Sequence, residues 1–396
     1  MLTDKTVVLG VTGGIAAYKA ADLASKLTQD GARVEVVMTE AATKLVAPLT
    51  FHTLTHTPVI TDMFTAPIEY DETHISLSEA ADAVVIAPAT ANTIAKMAAG
   101  MTDNMLTSIV LATKAPVIIA PAMNVNMWEN PVTQENVNKL KSRGFIIVEP
   151  GYGRLASGKM GRGRLADVES IIGTIKQVLG RKGDLARRRI VVTAGGTQEP
   201  VDPVRYIGNR SSGKMGFAVA EAARDRGAEV TLVSAPTSLP DPAGVEVIHV
   251  QTAIQMKEAV AKAVSKADAL IMAAAVADYQ PKSAAKSKIK KDAATMSLEL
   301  VRTSDILTEV QGNFIRVGFA AESENVVANA RQKLDKKNLD LIVANDITST
   351  DSGFGVDTNK VTIIDKNGKA ENLPLLTKRE VADRILDKVV ELLTGR

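Results

Sequence analysis

Short apolar strands alternate with helical patterns along this chain, and that alternation constrains its fold more than any other feature. Strands rich in Val, Ile and Ala that are separated by helices are typical of parallel sheets, because a helix returns the chain to the start of the next strand. The pattern predicts strands at residues 6–11, 34–38, 83–87, 116–120 and 145–148, and again at 190–193, 230–233, 269–273, 314–318, 340–344 and 361–365. The sequence therefore predicts an α/β protein with two doubly wound, Rossmann-like domains.

A pair of glycines follows the first predicted strand of each half. Gly13 and Gly14 precede a predicted helix at residues 15–29, and Gly195 and Gly196 lie upstream of one at residues 214–226. A glycine turn at the carboxyl end of a parallel strand lets backbone N–H groups approach a phosphate, and a helix N-terminus favours its negative charge. The two turns therefore predict two phosphate-bearing ligands, one in each half.

The length of 396 residues predicts two or three domains. Residues 181–189 are polar, basic and without apolar periodicity, which is typical of an interdomain linker, so we predict domains at residues 1–180 and 190–396. The basic run could instead contact nucleic acid, but a run this short is more often a solvated linker. The net charge of +2 gives no other reason to expect a nucleic-acid partner.

The residue types that are missing exclude several classes of site. Cysteine is absent, so the chain has no disulfide, thiolate metal ligand or cysteine nucleophile. The four histidines show no metal-site spacing, which argues against a metal held mainly by histidine. No apolar run reaches the ~18 residues that a membrane span needs, and residues 1–5 lead into a strand rather than a signal peptide. We expect a cytoplasmic protein without a membrane partner.

Four ordered motifs in the first half carry a family resemblance. They read GVTGGIAAYK at residues 10–19, APATAN at 87–92, AGMTDN at 99–104 and PAMNVNMW at 121–128. Together they closely resemble the family of FMN-dependent cysteine decarboxylases, and the resemblance covers residues 1 to about 180. It implies a flavodoxin-like fold, an FMN cofactor and decarboxylation of a cysteine joined to a pantothenoyl chain.

Small polar residues at predicted strand ends are the candidate flavin ligands. Small donors and free N–H groups at such ends can hold a phosphate and a ribityl chain. Asn104 begins a predicted helix, so its alternative role is an ordinary N-cap, although the family uses this part of the chain at the flavin. The candidates are Thr12, Gly13, Gly14, Thr39, Thr90 and Asn104.

The resemblance also implies two catalytic residues. His74 occupies the family's His-Ile-x-Leu position, and histidine titrates near neutrality, as a general base requires. Asn124 matches the asparagine that holds the substrate carboxylate; its alternative role is a turn or helix cap after a buried strand. In the implied chemistry, hydride transfer from the cysteine side chain to FMN creates a thioaldehyde that accepts the electrons left by CO₂.

Ser157 departs from the family pattern. Many members carry a cysteine in the Gly-rich flap at residues 156–164, where it donates a proton in the final reduction, and this chain has serine at that position. A serine hydroxyl is a far weaker acid than a thiol of pKa about 8.5. We hypothesise that a water or another group supplies the proton and that turnover still completes.

The second half contains a short segment suited to binding an anion. Ser211, Ser212, Gly213 and Lys214 supply hydroxyls, bare backbone and a cation at a predicted helix start, although the spacing of a Walker A loop is absent. Further motifs are AAAVADY at residues 273–279, KIKK at 288–291, GFAAE at 318–322, KKN at 336–338 and AND at 344–346. This set resembles phosphopantothenate–cysteine ligase from about residue 190 to the C-terminus. With the half that resembles a decarboxylase first and the half that resembles a ligase second, the chain resembles the bifunctional enzymes of coenzyme A biosynthesis.

The ligase resemblance implies that CTP activates the phosphopantothenate carboxylate as an acyl-cytidylate, from which the amine of cysteine displaces CMP. Asp278 is then placed at the nucleotide and its Mg²⁺, Lys288 at the triphosphate, and Asn209 at the acyl intermediate. The lysines at 286–291 could instead form a solvated loop, and Lys337 could simply end a helix. The nucleotide-binding candidates are Gly195, Gly196, Ser211, Ser212, Gly213, Lys214, Asp278, Lys288, Phe319 and Lys337.

The sequence alone leaves two alternative functions open. The chain could be a flavin-bound regulatory protein that kept the fold and lost activity, or its first half could be a flavin prenyltransferase, which leaves the second half unexplained. For an active enzyme, the expected partners are 4′-phosphopantothenate, cysteine and CTP. Because such decarboxylases usually form trimers and such ligases dimers, we also expect a homo-oligomer, with a dodecamer as the closed combination.

Overall fold

The computed structural model describes residues 2–63, 73–290, 295–322, 325–346 and 355–395, apart from the side chains of residues 322 and 346. The chain divides into two compact units at residues 1–179 and 180–396. Each unit is built around its own sheet with helices on both faces. The predicted α/β class with two doubly wound domains is confirmed.

A five-stranded parallel sheet forms the centre of the first unit, in the order β2-β1-β3-β4-β5. Its strands are β1 (Thr6–Val11), β2 (Arg33–Met38), β3 (Ala83–Ala89), β4 (Val117–Pro121) and β5 (Ile146–Ile147). All five lie within two residues of their predicted positions. In this order β2 lies on one side of β1 and β3 lies on the other. The connections after β1 and β3 therefore run in different directions, which leaves a crevice between the carboxyl ends of these two strands.

Helices cover both faces of this sheet. The longest ones follow the apolar spacing of three and four residues; in α1, Leu23, Ala24 and Leu27 are fully buried. Each buried leucine contributes about 1.5–3 kcal/mol relative to exposure. The helices are α1 (Ala17–Gln29), α2 (Glu40–Thr43), α3 (Pro48–Thr55), α4 (Thr73–Ala80), α5 (Ala91–Ala99), α6 (Met105–Ala112), α7 (Val125–Trp128), α8 (Pro131–Ser142) and α9 (Val168–Gly180).

Residues 151–164, which contain the Gly-rich flap, form an antiparallel hairpin, although the sequence pattern predicts neither strand nor helix for them. Its strands are β6 (Gly151–Arg154) and β7 (Met160–Arg164). The prediction was wrong because glycine and arginine alternate here where apolar residues would normally mark a strand. The glycines let β7 pack closely on the start of α7: a Cβ at Gly161 would lie 2.6 Å from a methyl of Val125.

An eight-stranded sheet forms the centre of the second unit, in the order β12-β11-β8-β13-β16-β17-β19-β20. Its first six strands are parallel and its last two antiparallel, so the doubly wound sheet ends in an edge hairpin. The strands of the unit are β8 (Arg189–Ala194), β9 (Gln198–Pro200), β10 (Tyr206–Gly208), β11 (Glu229–Ser234), β12 (Glu246–His249), β13 (Ala269–Met272), β14 (Tyr279–Pro281), β15 (Leu300–Arg302), β16 (Ile315–Glu322), β17 (Leu341–Asp346), β18 (Thr358–Asn359), β19 (Val361–Asp365), β20 (Ala370–Asn372) and β21 (Leu376–Thr377).

Buried ion pairs join the helices of this unit. The Arg224 guanidinium binds Asp225, and Arg379 of the C-terminal helix binds the other carboxylate oxygen of Asp225 at 2.7 Å. Breaking a buried pair leaves an uncompensated charge, so this network fixes the last helix against the helix that carries Asp225. The helices are α10 (Lys214–Asp225), α11 (Ala253–Ala263), α12 (Ile306–Glu309), α13 (Val326–Lys336) and α14 (Lys378–Thr394), with a 3₁₀ turn at Val264–Lys266.

Part of the segment predicted as a solvated linker packs instead on the second unit. Leu185 is fully buried in that unit's core, and its N–H donates to the carbonyl oxygen of Arg226 at 3.1 Å. Asp184 pairs with the Arg226 guanidinium. A single leucine among charged residues shows no periodicity, so the sequence alone does not predict its burial.

Candidate functional site

Three predicted flavin threonines lie at the carboxyl edge of the first sheet. The Thr12 hydroxyl donates to the carbonyl of Pro88 at 2.7 Å and accepts from the N–H of Thr90 at 3.0 Å. Thr12 follows β1 and Thr90 follows β3, so this contact spans the crevice. Thr39 follows β2, and its hydroxyl caps α2 by accepting from Ala42 N–H at 3.3 Å.

The glycine turn beside these threonines suits a phosphate. A Cβ at Gly13 would lie 2.4 Å from the Cβ of Ala41, so no larger residue fits between β1 and α2, while Gly14 has no neighbour that close. No side chain caps the start of α1 at Ala16. The N–H groups of Ala17 and Lys19 at this start donate to the carbonyls of Gly14 and Ala16, at 2.8 and 3.0 Å. The small residues of the turn and the threonine hydroxyls beside it fit the phosphate and ribityl chain of FMN.

Asn104 has the capping role that the sequence left as its alternative. Its Oδ1 atom accepts from the N–H of Thr107 at 3.1 Å at the start of α6, and its amide donates to Asp103 at 3.0 Å. Asp103 is in turn paired with Lys96. The cap explains the local conformation without a ligand, so a contact with the flavin stays a prediction.

Asn124 and Ser157 meet in the structure although 33 residues separate them. The Nδ2 atom of Asn124 donates to the Ser157 hydroxyl at 3.3 Å, while its Oδ1 accepts from Asn126 N–H at 3.0 Å as the N-cap of α7. The Met123 N–H donates to the carbonyl of Gly163 at 2.9 Å, which joins β7 to the same loop. The two predicted catalytic positions therefore form one polar pair at the tip of the hairpin.

His74 is the second residue of α4 and is half-buried. Asn124 bonds to Ser157 and Asn126, and no hydrogen bond among the described residues joins His74 to this pair. Residues 64–72, which precede α4 in the sequence, lie outside the described part of the chain.

A cavity of about 870 Å³ opens at the carboxyl edge of the second sheet. It collects side chains from the loop before α10, the segment after β13, and strands β16 and β17. The predicted residues that line it are Asn209, Ser211, Ser212, Gly213, Lys214, Asp278, Phe319 and Lys337. Residues distant in the sequence thus converge on one volume large enough for a nucleotide and an acyl substrate.

The lining of this cavity is strongly cationic. Two carboxylates, those of Asp278 and Asp305, face six cationic side chains. The net charge of the whole chain is only +2, so this local excess of positive charge indicates a polyanionic ligand. The cationic residues are Arg210, Lys214, Arg302, Lys333, Lys337 and Lys378. Sequence reasoning missed four of these, Arg210, Arg302, Lys333 and Lys378, because isolated basic residues are normally solvated.

Hydrogen bonds fasten the backbone that leads to Asp278. The Thr193 and Thr197 hydroxyls accept from the N–H groups of Ala274 and Ala277, at 3.1 and 2.9 Å. The Thr303 hydroxyl donates to the carbonyl of Ala277 at 2.5 Å, and the Thr303 N–H donates to the carbonyl of Asp278 at 3.0 Å. Residues 274–278 are therefore held in place before any ligand binds.

Asn209 is oriented by the same segment. Its Nδ2 atom donates to the carbonyl of Val276 at 3.0 Å, and the residue lines the cavity. Gly195 and Gly196 do not line the cavity; the Gly195 carbonyl accepts from Ala275 N–H at 2.8 Å. The second glycine turn therefore positions the surrounding loops.

Lys288 does not line the cavity in this structure. It is exposed, on a loop that Asp202 holds through the N–H of Ile289 at 3.1 Å. Arg205 binds both Asp202 and the carbonyl of Ile289, and its guanidinium keeps the pKa of Asp202 far below the usual range. The cluster predicted at 286–291 is thus an anchored loop, of which Lys291 lies outside the described residues.

The described residues contain no group of three or more acidic or histidine side chains able to hold a metal by themselves. Mg²⁺ bound with a nucleotide usually takes one or two carboxylates and completes its shell with phosphates and water. Asp278, in a cavity lined mainly by cationic side chains, fits that pattern. No helix in the described ranges is long and apolar enough to cross a membrane.

Comparisons with known proteins cover both units. The Flavoprotein family model matches residues 1–180, and the model of the DNA/pantothenate metabolism flavoprotein C-terminal domain matches residues 185–393. The chain is 46% identical, over 99% of its length, to the coenzyme A biosynthesis bifunctional protein CoaBC of Bacillus subtilis (strain 168), of which it covers 98%. It is 44% identical to the protein of the same name from Vibrio cholerae, with 98% of this chain and 99% of that protein covered.

A solved structure matches the second half. The crystal structure of the C-terminal domain of a coenzyme A biosynthesis bifunctional protein CoaBC is 43% identical, covers 54% of this chain and all of that one, and gives a TM-score of 0.47.

Proposed function

This chain belongs to the family of bifunctional coenzyme A biosynthesis proteins, and from that premise we propose that it catalyses two consecutive steps. The second unit joins cysteine to 4′-phosphopantothenate, and the first decarboxylates the resulting 4′-phosphopantothenoylcysteine to 4′-phosphopantetheine. The observation that carries the proposal is the cationic cavity that brings Asn209 and Asp278 together. An inactive flavin-binding relative would have no need to keep such a cavity.

In the ligase unit, the cationic cavity supports binding of CTP. The substrate carboxylate attacks the α-phosphorus and forms an acyl-cytidylate while pyrophosphate leaves; the amine of cysteine then attacks the acyl carbon and CMP leaves. Asp278 would hold Mg²⁺, which would neutralise phosphate charge when bound. Phe319 and Lys337 would contact the nucleotide, together with the hydroxyls and backbone of residues 211–213.

Asn209 would serve the second half of that reaction. Asn209 lines the cavity with its Nδ2 atom bound to the carbonyl of Val276, and its amide oxygen would accept a hydrogen bond from the attacking amine. This would hold the cysteine amine close to the acyl carbon. Lys288 would reach the triphosphate from its anchored loop and stabilise the leaving charge.

In the decarboxylase unit, Thr12, Gly13, Gly14, Thr39, Thr90 and Asn104 would hold FMN. When bound, the flavin supplies the electron sink that oxidises the cysteine side chain before CO₂ departs. Asn124 has an amide N–H directed toward Ser157 and would donate it to the substrate carboxylate. His74 would act as the general base from α4.

Ser157 lies where the substrate carboxylate would bind Asn124, 3.3 Å from its amide nitrogen. A serine hydroxyl is too weak an acid to lose its proton at neutral pH, but it can order a water that carries one. We propose that this relay completes the final protonation. Release of an oxidised enethiol as the main product would overturn it.

We also propose that the protein acts in the cytoplasm on soluble substrates and assembles as a homo-oligomer. Trimeric contacts of the first unit combined with dimeric contacts of the second would close as a dodecamer.

The test supplies the purified full-length protein with phosphopantothenate, cysteine, CTP and Mg²⁺ and identifies all products by mass. The expected products are 4′-phosphopantetheine, CO₂, CMP and pyrophosphate. His74→Asn is expected to stop CO₂ release while phosphopantothenoylcysteine accumulates, and Asn209→Ala to stop its formation while supplied phosphopantothenoylcysteine is still decarboxylated. Purified protein without flavin, or CTP cleavage that is not coupled to cysteine addition, would contradict the proposal.

A further inference from the structure

Asn345 has a buried amide oxygen that forms no hydrogen bond. The residue lies near the carboxyl end of β17 and lines the cavity of the second unit. Its Oδ1 atom is buried, and no donor among the described residues reaches it. Within the described ranges one other buried side-chain atom is in this state, Oε2 of Glu199, which does not line the cavity. A buried acceptor without a donor destabilises the free protein, so a ligand that supplies a donor would gain from the contact.

The alternation of β17 places Asn345 on an apolar face of the sheet. Leu341 and Val343 precede it at the strand period of two, and both are buried in the core that α10 and α14 cover. On the neighbouring strands, Asn345 pairs directly with Ala321 of β16 and with Val361 of β19. Packing alone therefore favours an apolar side chain at this position, and the amide needs another reason.

An aromatic ring lies on the same face of the sheet, one strand away. Phe319 precedes Ala321 by two residues in β16, so its side chain shares the face of Asn345. Phe319 is only partly buried in the core and also lines the cavity. A ring for stacking beside an amide for hydrogen bonding is the combination with which proteins bind single nucleobases.

The chemistry of the unpaired atom selects the part of the nucleotide that fits it. A carboxamide oxygen only accepts hydrogen bonds, whereas the phosphate oxygens at neutral pH are mainly acceptors as well. Cytosine carries an exocyclic amine that donates. The ribose hydroxyls can also donate, but every ribonucleotide carries them. The amine is therefore the group through which Asn345 could distinguish one pyrimidine from another.

We propose that Asn345 reads the base of the nucleotide: its Oδ1 atom accepts a hydrogen bond from the exocyclic amine of a cytosine that stacks on Phe319. The amide presents this oxygen to the base by turning about its terminal torsion, which is broad for asparagine. The inference rests on the proposed ligase function and deepens it by naming the residue that selects the base.

The test measures binding to the full-length protein by isothermal titration calorimetry in the presence of Mg²⁺. The probes are CTP and the triphosphate of 2-pyrimidinone riboside, which lacks only the amine. Wild-type protein is expected to bind CTP at least about tenfold more tightly than this analogue, because a site that pairs with an amine rejects a ligand without one. Asn345→Leu is expected to weaken CTP binding at least about tenfold and to change the affinity for the analogue by no more than about threefold.

Two further measurements separate base reading from damage to the fold. Leucine is close to asparagine in size and removes the unpaired oxygen, so the midpoint of thermal unfolding without nucleotide is expected not to fall in Asn345→Leu. Inorganic tripolyphosphate, which has no base, is expected to bind the variant as it binds the wild type. The matched control is Asn372→Leu, the same exchange at an exposed residue of β20 outside the cavity, and it is expected to leave all affinities within about twofold.

Three outcomes would overturn the inference. They are equal affinity of the wild type for CTP and the amine-free analogue, wild-type affinity for CTP in Asn345→Leu, and an equal loss of affinity for CTP and tripolyphosphate in that variant. A loss confined to 4′-phosphopantothenate would assign Asn345 to the acyl substrate and would likewise overturn base reading. Wild-type protein that binds neither CTP nor 4′-phosphopantothenate would instead contradict the proposed ligase function.

Discussion

At the scale of single residues, the ligase site depends on short side chains that bind backbone rather than ligand. The threonines at 193, 197 and 303 and the amide of Asn209 together hold residues 274–278. Their partners lie 26 to 81 residues away, so no local pattern predicts these bonds. The motifs predict which residues reach the ligand, whereas these positioning contacts become visible only in the folded chain.

Thr303→Val tests this positioning. The variant keeps the side-chain shape but leaves the carbonyl of Ala277 without its hydroxyl donor, which costs about 1–3 kcal/mol if that carbonyl stays buried. We expect Asp278 to lose its fixed position and kcat/KM for CTP to fall roughly tenfold. Steady-state ligation kinetics measure the effect.

Thr303→Ser restores the hydroxyl and is the matched control. It is expected to keep most of the activity, and decarboxylation of supplied phosphopantothenoylcysteine is expected to be unchanged in both variants. If Thr303→Val ligates at the wild-type rate, the hydrogen bond to Ala277 has no part in positioning Asp278.

At the scale of elements, the long strands were predictable and the short hairpins were not. Strands such as β3, with seven buried residues, carry a continuous apolar signal. The three-residue strands β14 and β15 are short and largely exposed, so residue type says little about them. Residue type also says little about the β6–β7 hairpin, because its small residues allow close packing and give no apolar signal.

Gly163→Ala tests the role of that hairpin. Gly163 has φ near +140°, and an added Cβ would lie 2.3 Å from the carbonyl oxygen of Met123. We expect β7 to move away from the start of α7 and separate Ser157 from Asn124. CO₂ release should fall at least about tenfold, because a displacement of about 1 Å in a site can cost far more.

Gly100→Ala provides the matched control. Gly100 also has a positive φ, near +74°, but nothing lies within 4 Å of an added Cβ. The Gly100→Ala variant therefore has the strained backbone conformation without the clash. We expect it to lower the free energy of unfolding by about 1 kcal/mol and to decarboxylate the substrate at a nearly normal rate. Equal loss of activity in both variants would show that general instability, rather than the hairpin contact, is responsible.

Asp202→Asn tests the anchor of the Lys288 loop. The Asp202 side chain is fully buried and accepts from the N–H groups of Val204, Arg205 and Ile289 as well as from the Arg205 guanidinium. The amide keeps the shape but loses the charge and one acceptor atom. We expect protease cleavage near Lys288 to accelerate and ligation to slow roughly tenfold, since charged hydrogen bonds are worth about 1.5–3 kcal/mol each.

The low pKa of Asp202 determines how this anchor responds to pH. Because the folded pKa lies below the unfolded value of about 3.9, its stabilisation is fully present above that value and is lost only as the pH falls below it. Protease cleavage of the wild-type loop should therefore not vary from pH 6 to pH 8 once corrected for the protease's own profile. Unchanged cleavage and ligation in Asp202→Asn would mean that the loop has another anchor.

At the scale of the whole molecule, the two units of related architecture place their candidate phosphate contacts differently. In the first unit the glycine turn leads directly into α1, whose start has no side-chain cap. In the second unit the β9–β10 hairpin separates Gly195 from α10, and the loop before α10 lines the cavity instead. The paired glycines correctly predicted related folds, but the inserted hairpin moved the candidate phosphate contacts along the chain.

Exposed apolar side chains beside the first glycine turn favour assembly of several copies. Ile15 is 64% and Tyr18 62% exposed, at or next to the first turn of α1. Large apolar groups grouped at a surface commonly mark protein contacts. If copies meet there, the neighbouring chain covers the first glycine turn, beside the predicted flavin ligands. A dodecamer of 41.9 kDa chains would have a mass of about 500 kDa.

The double variant Ile15→Asp and Tyr18→Asp should dissociate that assembly, because two buried carboxylates per chain would oppose the contact. Mass photometry should record a smaller particle, and gel filtration should separate free flavin from the protein if a neighbour covers the turn. Val132→Asp, an equally exposed apolar position on α8, controls for the added charge. A particle of unchanged mass that keeps its flavin would show that this surface does not join copies, and the exposed residues at α1 would then need another partner.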